Sequence, residues 1–171
     1  NGFNVLQRAA SRVGGLDIGF VPSSKFRTTD KMLSKDMEVL FLMGADDIDM
    51  KLVGQDTFVV YVGHHGDKGA QVADVILPTA AYTEKTATYV NLEGRVQRTR
   101  LAVFPPNEAK EDWIVFSELA MKLGISLGYK TIQDVWNKMA RVNPVFKKLD
   151  TIASEKTPLE IGKMKDFAAD H

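Results

Sequence analysis

The stretch GHHGDKGAQVADVILPTAAYTEKTATYVNLEGRVQ, residues 63–97, carries most of the information in this chain. It starts where an apolar run, FVVYV at residues 58–62, ends. A second run, VIL at 75–77, lies inside it and is closed by Pro78. A third, MEVLFLM at 37–43, precedes both and ends in Gly44-Ala45-Asp46-Asp47. Runs this short, rich in Val and Phe and bounded by glycine, predict buried strands rather than helices. Glycine-rich turns then sit at strand carboxyl ends, as in open α/β sheets. Strand periodicity returns at 88–91 and 96–103. Residues 92–95 turn between them, with Gly94 permitting positive φ. Pro105-Pro106 then breaks the chain.

Upstream, Val5, Leu6, Ala9, Ala10 and Val13 recur at helical spacing. They predict a helix over 3–13 that Gly14-Gly15 stops. Residues 22–30, rich in Ser, Thr and charge, predict an exposed loop. Downstream, from about residue 107, the chain reads as helical. Trp113, Phe116, Leu119, Ala120 and Leu123 share one helix face. Glu111 and Asp112 favour its amino end, Lys122 its carboxyl end, and Gly124 suits the C-cap. Thr131 and Asp134 have capping-box spacing ahead of a stripe of Ile132, Val135, Trp136 and Met139. Asn143-Pro144 ends that helix. These stripes read as core or subunit interface rather than as a cofactor box. The order of helix, short strands, hairpin and helices implies an α/β layered fold, a mostly parallel sheet flanked by helices. No repeat and no linker divides residues 1–171, which read as one partial domain.

Composition narrows the function. The chain has 171 residues, 44% of them apolar, enough for burial to drive folding. Acidic and basic residues number 22 each, so no overall field draws in nucleic acid or anionic lipid. There is no cysteine. Disulfides, zinc–thiolate sites and cysteine-ligated iron–sulfur clusters are therefore excluded within this chain. No apolar run approaches the roughly 20 residues that span a bilayer, and no signal peptide is visible. The chain opens on Asn1, which suggests processing or trimming.

Several residues invite a catalytic or metal reading. On an extended segment the side chains of His64 and His65 point different ways, and adjacent histidines so placed rarely chelate one ion. Asp67 and Asp74 could add oxygen ligands, but the only other histidine is His171. A histidine ring meeting a partner subunit is the remaining functional reading of this loop. Gly44-Ala45-Asp46-Asp47 lacks the Gly-x-Gly-x-x-Gly fingerprint and reads as a turn. Ser23, Ser24, Ser34 and Ser117 sit in no Gly-x-Ser-x-Gly elbow. Glu84 and Glu93 are general acids by residue type alone. No catalytic, cofactor-binding or metal residue is expected.

Residues 63–97 closely resemble the large iron–sulfur subunit of respiratory complex I (NADH:ubiquinone oxidoreductase) and, more distantly, the molybdopterin oxidoreductase superfamily. The superfamily pattern falls on Ala73, Asp74, Leu77, Pro78, Glu84, Asn91, Glu93, Gly94, Arg95 and Gln97. The complex I flavour lies in Gly63-His64-His65-Gly66-Asp67 and Ala81-Tyr82-Thr83-Glu84-Lys85. VLFLMGADD at 39–47, NVLQRAASRVGGLDIGF at 4–20, Pro105-Pro106 and Glu111-Asp112-Trp113 extend the likeness. It covers most of residues 4–123 and then fades, with Lys165-Asp166-Phe167 a weak further match.

The resemblance implies a fold of the formate dehydrogenase and DMSO reductase type, kept as scaffold. Active superfamily members carry a Thr-Glu-Thr-like motif in the loop after the second strand. Here Gly66-Asp67-Lys68-Gly69 stands instead, so molybdopterin is not expected. Iron–sulfur clusters are expected in an N-terminal part of the subunit outside this chain. The implied role is structural, in the NADH-oxidising peripheral arm. The implied partners are that N-terminal part, along an open sheet edge, and other peripheral-arm subunits, with no membrane insertion. The implied location is the matrix side of the mitochondrial inner membrane, or the cytoplasmic face of a bacterial plasma membrane. The alternatives are a fragment of an active molybdopterin-dependent oxidoreductase, and a metal-dependent activity at His64, His65 and Asp67.

Overall fold

The computed structural model describes residues 5–10, 12–22, 29–33 and 37–149. Three parallel strands, β1 (Val39–Met43), β2 (Phe58–Gly63) and β3 (Val75–Pro78), form a sheet in the order β1-β2-β3. All three predicted strands are present, each within two residues of its expected ends. β2 is central and its Val59, Val60, Tyr61 and Val62 are buried. Parallel register pairs Leu40 with Val59 and Leu42 with Tyr61, so these four share one face. There Leu42, Val59 and Tyr61 form a core, closed by Ile48, Met50, Val53, Ala70 and Ala73 from the connections. A short helix, α3 (Lys68–Gln71), links β2 to β3.

Val39, Phe41, Met43 and Phe58 point to the opposite face and stay partly exposed. Part of that face is covered by α4 (Asp112–Lys122), where Phe116 meets Phe41 with ring centroids 6.3 Å apart. The fold is thus α/β, with a parallel sheet flanked by helices.

A second unit forms around the antiparallel hairpin of β4 (Thr88–Val90) and β5 (Val96–Arg98). Its buried Val90 and Val96 pack on Phe146, with Val13, Met139, Ala140 and Val145 around them. Met139 and Ala140 come from α5 (Ile132–Val142), and Phe146 from the 3-10 turn Pro144–Lys147 that Asn143-Pro144 begins. β5 is shorter than expected. Thr99 turns its hydroxyl onto the backbone of Lys85 and Ala87, and residues beyond it bond irregularly to Thr83.

The first helix corrects the sequence reading. Residues 5–10 are not helical, and Asn4 and Ser11 lie outside the described residues. The helix is α1 (Arg12–Asp17), and Gly14-Gly15 lies inside it. Gly14 lies where α1 approaches β4: a Cβ there would be 3.3 Å from Val90 Cγ2. The stop comes at Gly19, with φ 77°. Its N–H donates to Leu16 O and that of Phe20 to Gly15 O, the paired bonds of a Schellman end. The predicted loop at 22–30 falls mostly outside the described residues, and its last two residues open α2 (Thr29–Met32).

Gly124 ends α4 as expected. It has φ 77°, and Gly124 N–H and Ile125 N–H donate to Met121 O and Ala120 O. Four residues of the predicted α4 stripe, Trp113, Phe116, Leu119 and Ala120, are half-buried. Val115, outside the expected stripe, is the buried residue, and Leu123 is 69% exposed. No helix among the described residues is long and apolar enough to cross a membrane.

Candidate functional site

The carboxyl ends of β1 and β2 lie side by side, bringing residues 44–47 next to residues 63–69. Gly44 has φ 57°, which a side chain resists, and its N–H donates to Val62 O at 2.8 Å. The following Asp46 binds the two turns together. One carboxylate oxygen accepts from Tyr61 Oη at 3.1 Å, the other from the Gly69 amide at 2.8 Å.

Tyr61 is 2% exposed. Burial, then the hydrogen bond and charge of Asp46, push its hydroxyl up to about 12 from the ordinary 10.0. Two glycines make room for the ring. A Cβ on Gly63 would fall 2.6 Å from Tyr61 Oη, and one on Gly69 would fall 2.8 Å from the ring carbons. These glycines therefore serve packing, and the Gly69 amide is already committed to Asp46.

His64 and His65 correct one expectation. Their rings do not diverge but meet with centroids 4.3 Å apart, because the chain bends directly after Gly63. Both are exposed, as is Asp67. Asp74 is drawn elsewhere, accepting from the Val59 amide at 2.7 Å. No three His, Asp or Glu side chains gather into a metal-binding group among the described residues. Ser117 donates to Trp113 O within its own helix, while Ser23, Ser24, Ser34 and His171 lie outside the described residues.

The remaining motif residues hold one another in place. Asn91 Oδ1 accepts from the amides of Glu93 and Arg95 at 3.0 and 2.9 Å, and Gly94 takes φ 76°. Asn-x-Glu-Gly-Arg is thus the chemistry of the β4–β5 turn. Glu84 caps its own loop, accepting from the Ala81 amide. The start of α4 clamps the next residues: Lys85 pairs with Asp112 at 2.5 Å, and Glu111 accepts from the Thr86 amide and from Trp113 Nε1. Thr79 and Ala80, both buried, connect β3 to this clamp through a bridge to Lys110. Sequence reasoning missed the Asp46–Tyr61–Gly69 link and the Glu111 clamp. The signals were an acidic residue after the β1 turn and another just before an indole.

Residues 1–122 match the family model for molybdopterin oxidoreductase. The chain is 45% identical over 153 residues to the mitochondrial NADH-ubiquinone oxidoreductase 78 kDa subunit of Neurospora crassa, covering 89% of this chain and 20% of the relative. It is 44% identical over 162 residues to the NADH-ubiquinone oxidoreductase 75 kDa subunit of Reclinomonas americana, covering 94% and 23%. It is 44% identical over 155 residues to an NADH-quinone oxidoreductase subunit of Rickettsia felis, covering 91% and 22%. The chain thus spans only 20–23% of the length of these relatives. With the family model matching residues 1–122 of 171, the chain belongs to the molybdopterin oxidoreductase family.

Proposed function

We propose that the chain is a non-catalytic, structural and assembly part of the NADH-oxidising peripheral arm of respiratory complex I. It supports the cluster-bearing part of the same subunit during electron transfer from NADH to ubiquinone. One observation carries this reading. The motif residues on which the family resemblance rests form internal contacts: Asn91 with Gly94 makes a turn, Glu84 caps a loop, and Asp74 holds a strand. The names of the relatives supply the complex.

The glycine-rich turns fit an anionic pterin phosphate poorly. Asp46 and Asp67 both lie at this sheet edge beside Tyr61, where like charge opposes a phosphate. The amide of Gly69 and the space beside Gly63 are already taken. We therefore propose that molybdopterin is not held here and that the clusters lie in other parts of the subunit. The neighbours are that cluster-bearing part and further peripheral-arm subunits. The site of work is the matrix side of the mitochondrial inner membrane, or the cytoplasmic side of a bacterial plasma membrane.

The test is affinity purification of the tagged chain under native conditions. NADH:ubiquinone oxidoreductase activity and iron–sulfur signals should accompany it, without molybdenum or pterin fluorescence. Stoichiometric molybdenum would instead establish the active-oxidoreductase reading. A stable, monomeric chain that unfolds cooperatively and brings nothing with it would overturn the structural role.

A further inference from the structure

The seam between the β4–β5 hairpin and α5 holds polar groups that the family motif does not use. Thr88 pairs with Arg98 across the hairpin, so both side chains lie on one face. Val90 and Val96 share that face and pack on Phe146 and Met139. Trp136 lies one turn before Met139 on α5 and reaches the same seam. The Arg98 guanidinium carbon stands 3.7 Å from the centre of the Trp136 ring. A cavity of about 180 Å³ opens beside Thr88 and Trp136, with Lys85, Glu111, Asp112 and Trp113 also in its wall, and Arg98 lies behind the Trp136 ring.

Three buried atoms here have no hydrogen-bond partner among the described residues: Thr88 Oγ1, Arg98 Nε and Trp136 Nε1. Two of them can only donate, and a threonine hydroxyl can donate as well. The seam therefore calls for an acceptor. The carboxylates in the cavity wall are engaged, Asp112 by Lys85 and Glu111 by Thr86 and Trp113. No ion pair reaches Arg98 among the described residues, and burial lowers its pKa. Water would satisfy the donors but would leave the guanidinium without a counter-charge. A carboxylate does both, and its two oxygens offer enough lone pairs for all three donors. Glu111 and Asp112 in the same wall oppose any anion, and a doubly charged phosphate more strongly than a singly charged carboxylate.

We propose that this seam is a receptor for one carboxylate group, bound by Arg98 Nε, Trp136 Nε1 and Thr88 Oγ1. The group is borne by an Asp or Glu side chain of an adjoining polypeptide, or by a small free monocarboxylate. Two measurements separate the sources. In the first, the full chain labelled with ¹⁵N is titrated with sodium formate or acetate, against sodium chloride at equal ionic strength. The Trp136 indole N–H resonance, identified with Trp136→Phe, should move downfield and saturate. Arg98→Gln should weaken uptake about ten- to hundredfold, the range for losing a charge-assisted hydrogen bond. Arg98→Lys, which keeps the charge, should recover part of it.

The second is a map of the native assembly containing the chain, at a resolution that shows side chains. An Asp or Glu carboxylate at hydrogen-bond distance from Trp136 Nε1 assigns the polypeptide source. A saturable Trp136 response with no such side chain assigns the free acid. Water alone in the seam, with no Trp136 response or one that Arg98→Gln leaves unchanged, overturns the proposal. If the chain alone gives no dispersed spectrum, the map decides in the same way.

Discussion

Tyr61 shows how one buried phenol sets the residues around it. Its ring fills the space that side chains at 63 and 69 would need, and its hydroxyl donates to Asp46. Gly69→Ala would press a methyl group to 2.8 Å from the ring and 3.0 Å from Asp46 Oδ1. Overpacking of this kind costs about 1–3 kcal/mol. A urea titration should show that loss at an unchanged m-value, and a variant as stable as the parent would refute the contact. The phenol also gives the fold an alkaline limit. The native state keeps the proton up to about 12, whereas the unfolded chain releases it near 10.0. Between those values the native state binds more protons, so stability is whole below pH 10.0 and falls as pH rises toward 12. Tyr61→Phe should flatten this part of the stability–pH curve, although it is less stable near neutrality for want of the Asp46 bond. An unchanged alkaline slope in Tyr61→Phe would assign the loss to another group.

At the scale of elements, the start of α5 rests on one carboxylate. Asp134 accepts from the Lys130 amide, and from the amide and hydroxyl of Thr131. Those bonds, the Lys130 amide foremost, hold its pKa below the ordinary carboxylate value. A lowered native pKa contributes stability that is present above the ordinary carboxylate range and is lost as pH falls through the lowered value. Asp134→Ala should therefore lower the thermal midpoint at neutral pH, by less than Gly69→Ala does. The two proteins should converge in strong acid, and a gap that persists there would point to packing instead. This box was legible in the sequence because it spans four consecutive residues, as were the glycine-bounded strands and the Gly124 stop. The first helix was not. Gly14-Gly15 reads locally as a terminator, but Gly14 is a point of close approach to Val90, far along the chain. β5 was read too long for a related reason, since Thr99 bonds to the backbone of Lys85 and Ala87. At the candidate site the motif letters were visible, but their use in caps, turns and a ring cradle depends on contacts between segments. The tilted contact of His64 with His65 likewise depends on a bend that no residue type announces.

For the whole molecule, a three-stranded parallel sheet poses a burial problem. Parallel sheets are covered on both faces, with their edges protected. Here one face is closed by the Leu42–Val59–Tyr61 core, while Val39, Phe41 and Met43 of β1 remain 42–52% exposed on the other. No strand pairs with the outer edge of β1 among the described residues. The relatives are four to five times as long as the region they share with this chain, so they contain further polypeptide that could lie against such a face. With the proposed structural role, burial of this face in the assembly is the expected outcome. Val39→Glu with Met43→Glu tests it. Both side chains are about half exposed, so their replacement should change the chain's own unfolding little. Within a covered interface the same two carboxylates would have to be buried without partners, at a cost of several kcal/mol each. Recovery of the tagged variant with NADH:ubiquinone oxidoreductase activity should fall at least tenfold. Lys51→Glu, on the exposed 3-10 turn Met50–Leu52, should leave recovery unchanged. Equal recovery of the double variant and the parent would mean that β1 faces solvent in the assembly, and that the chain is held by another surface.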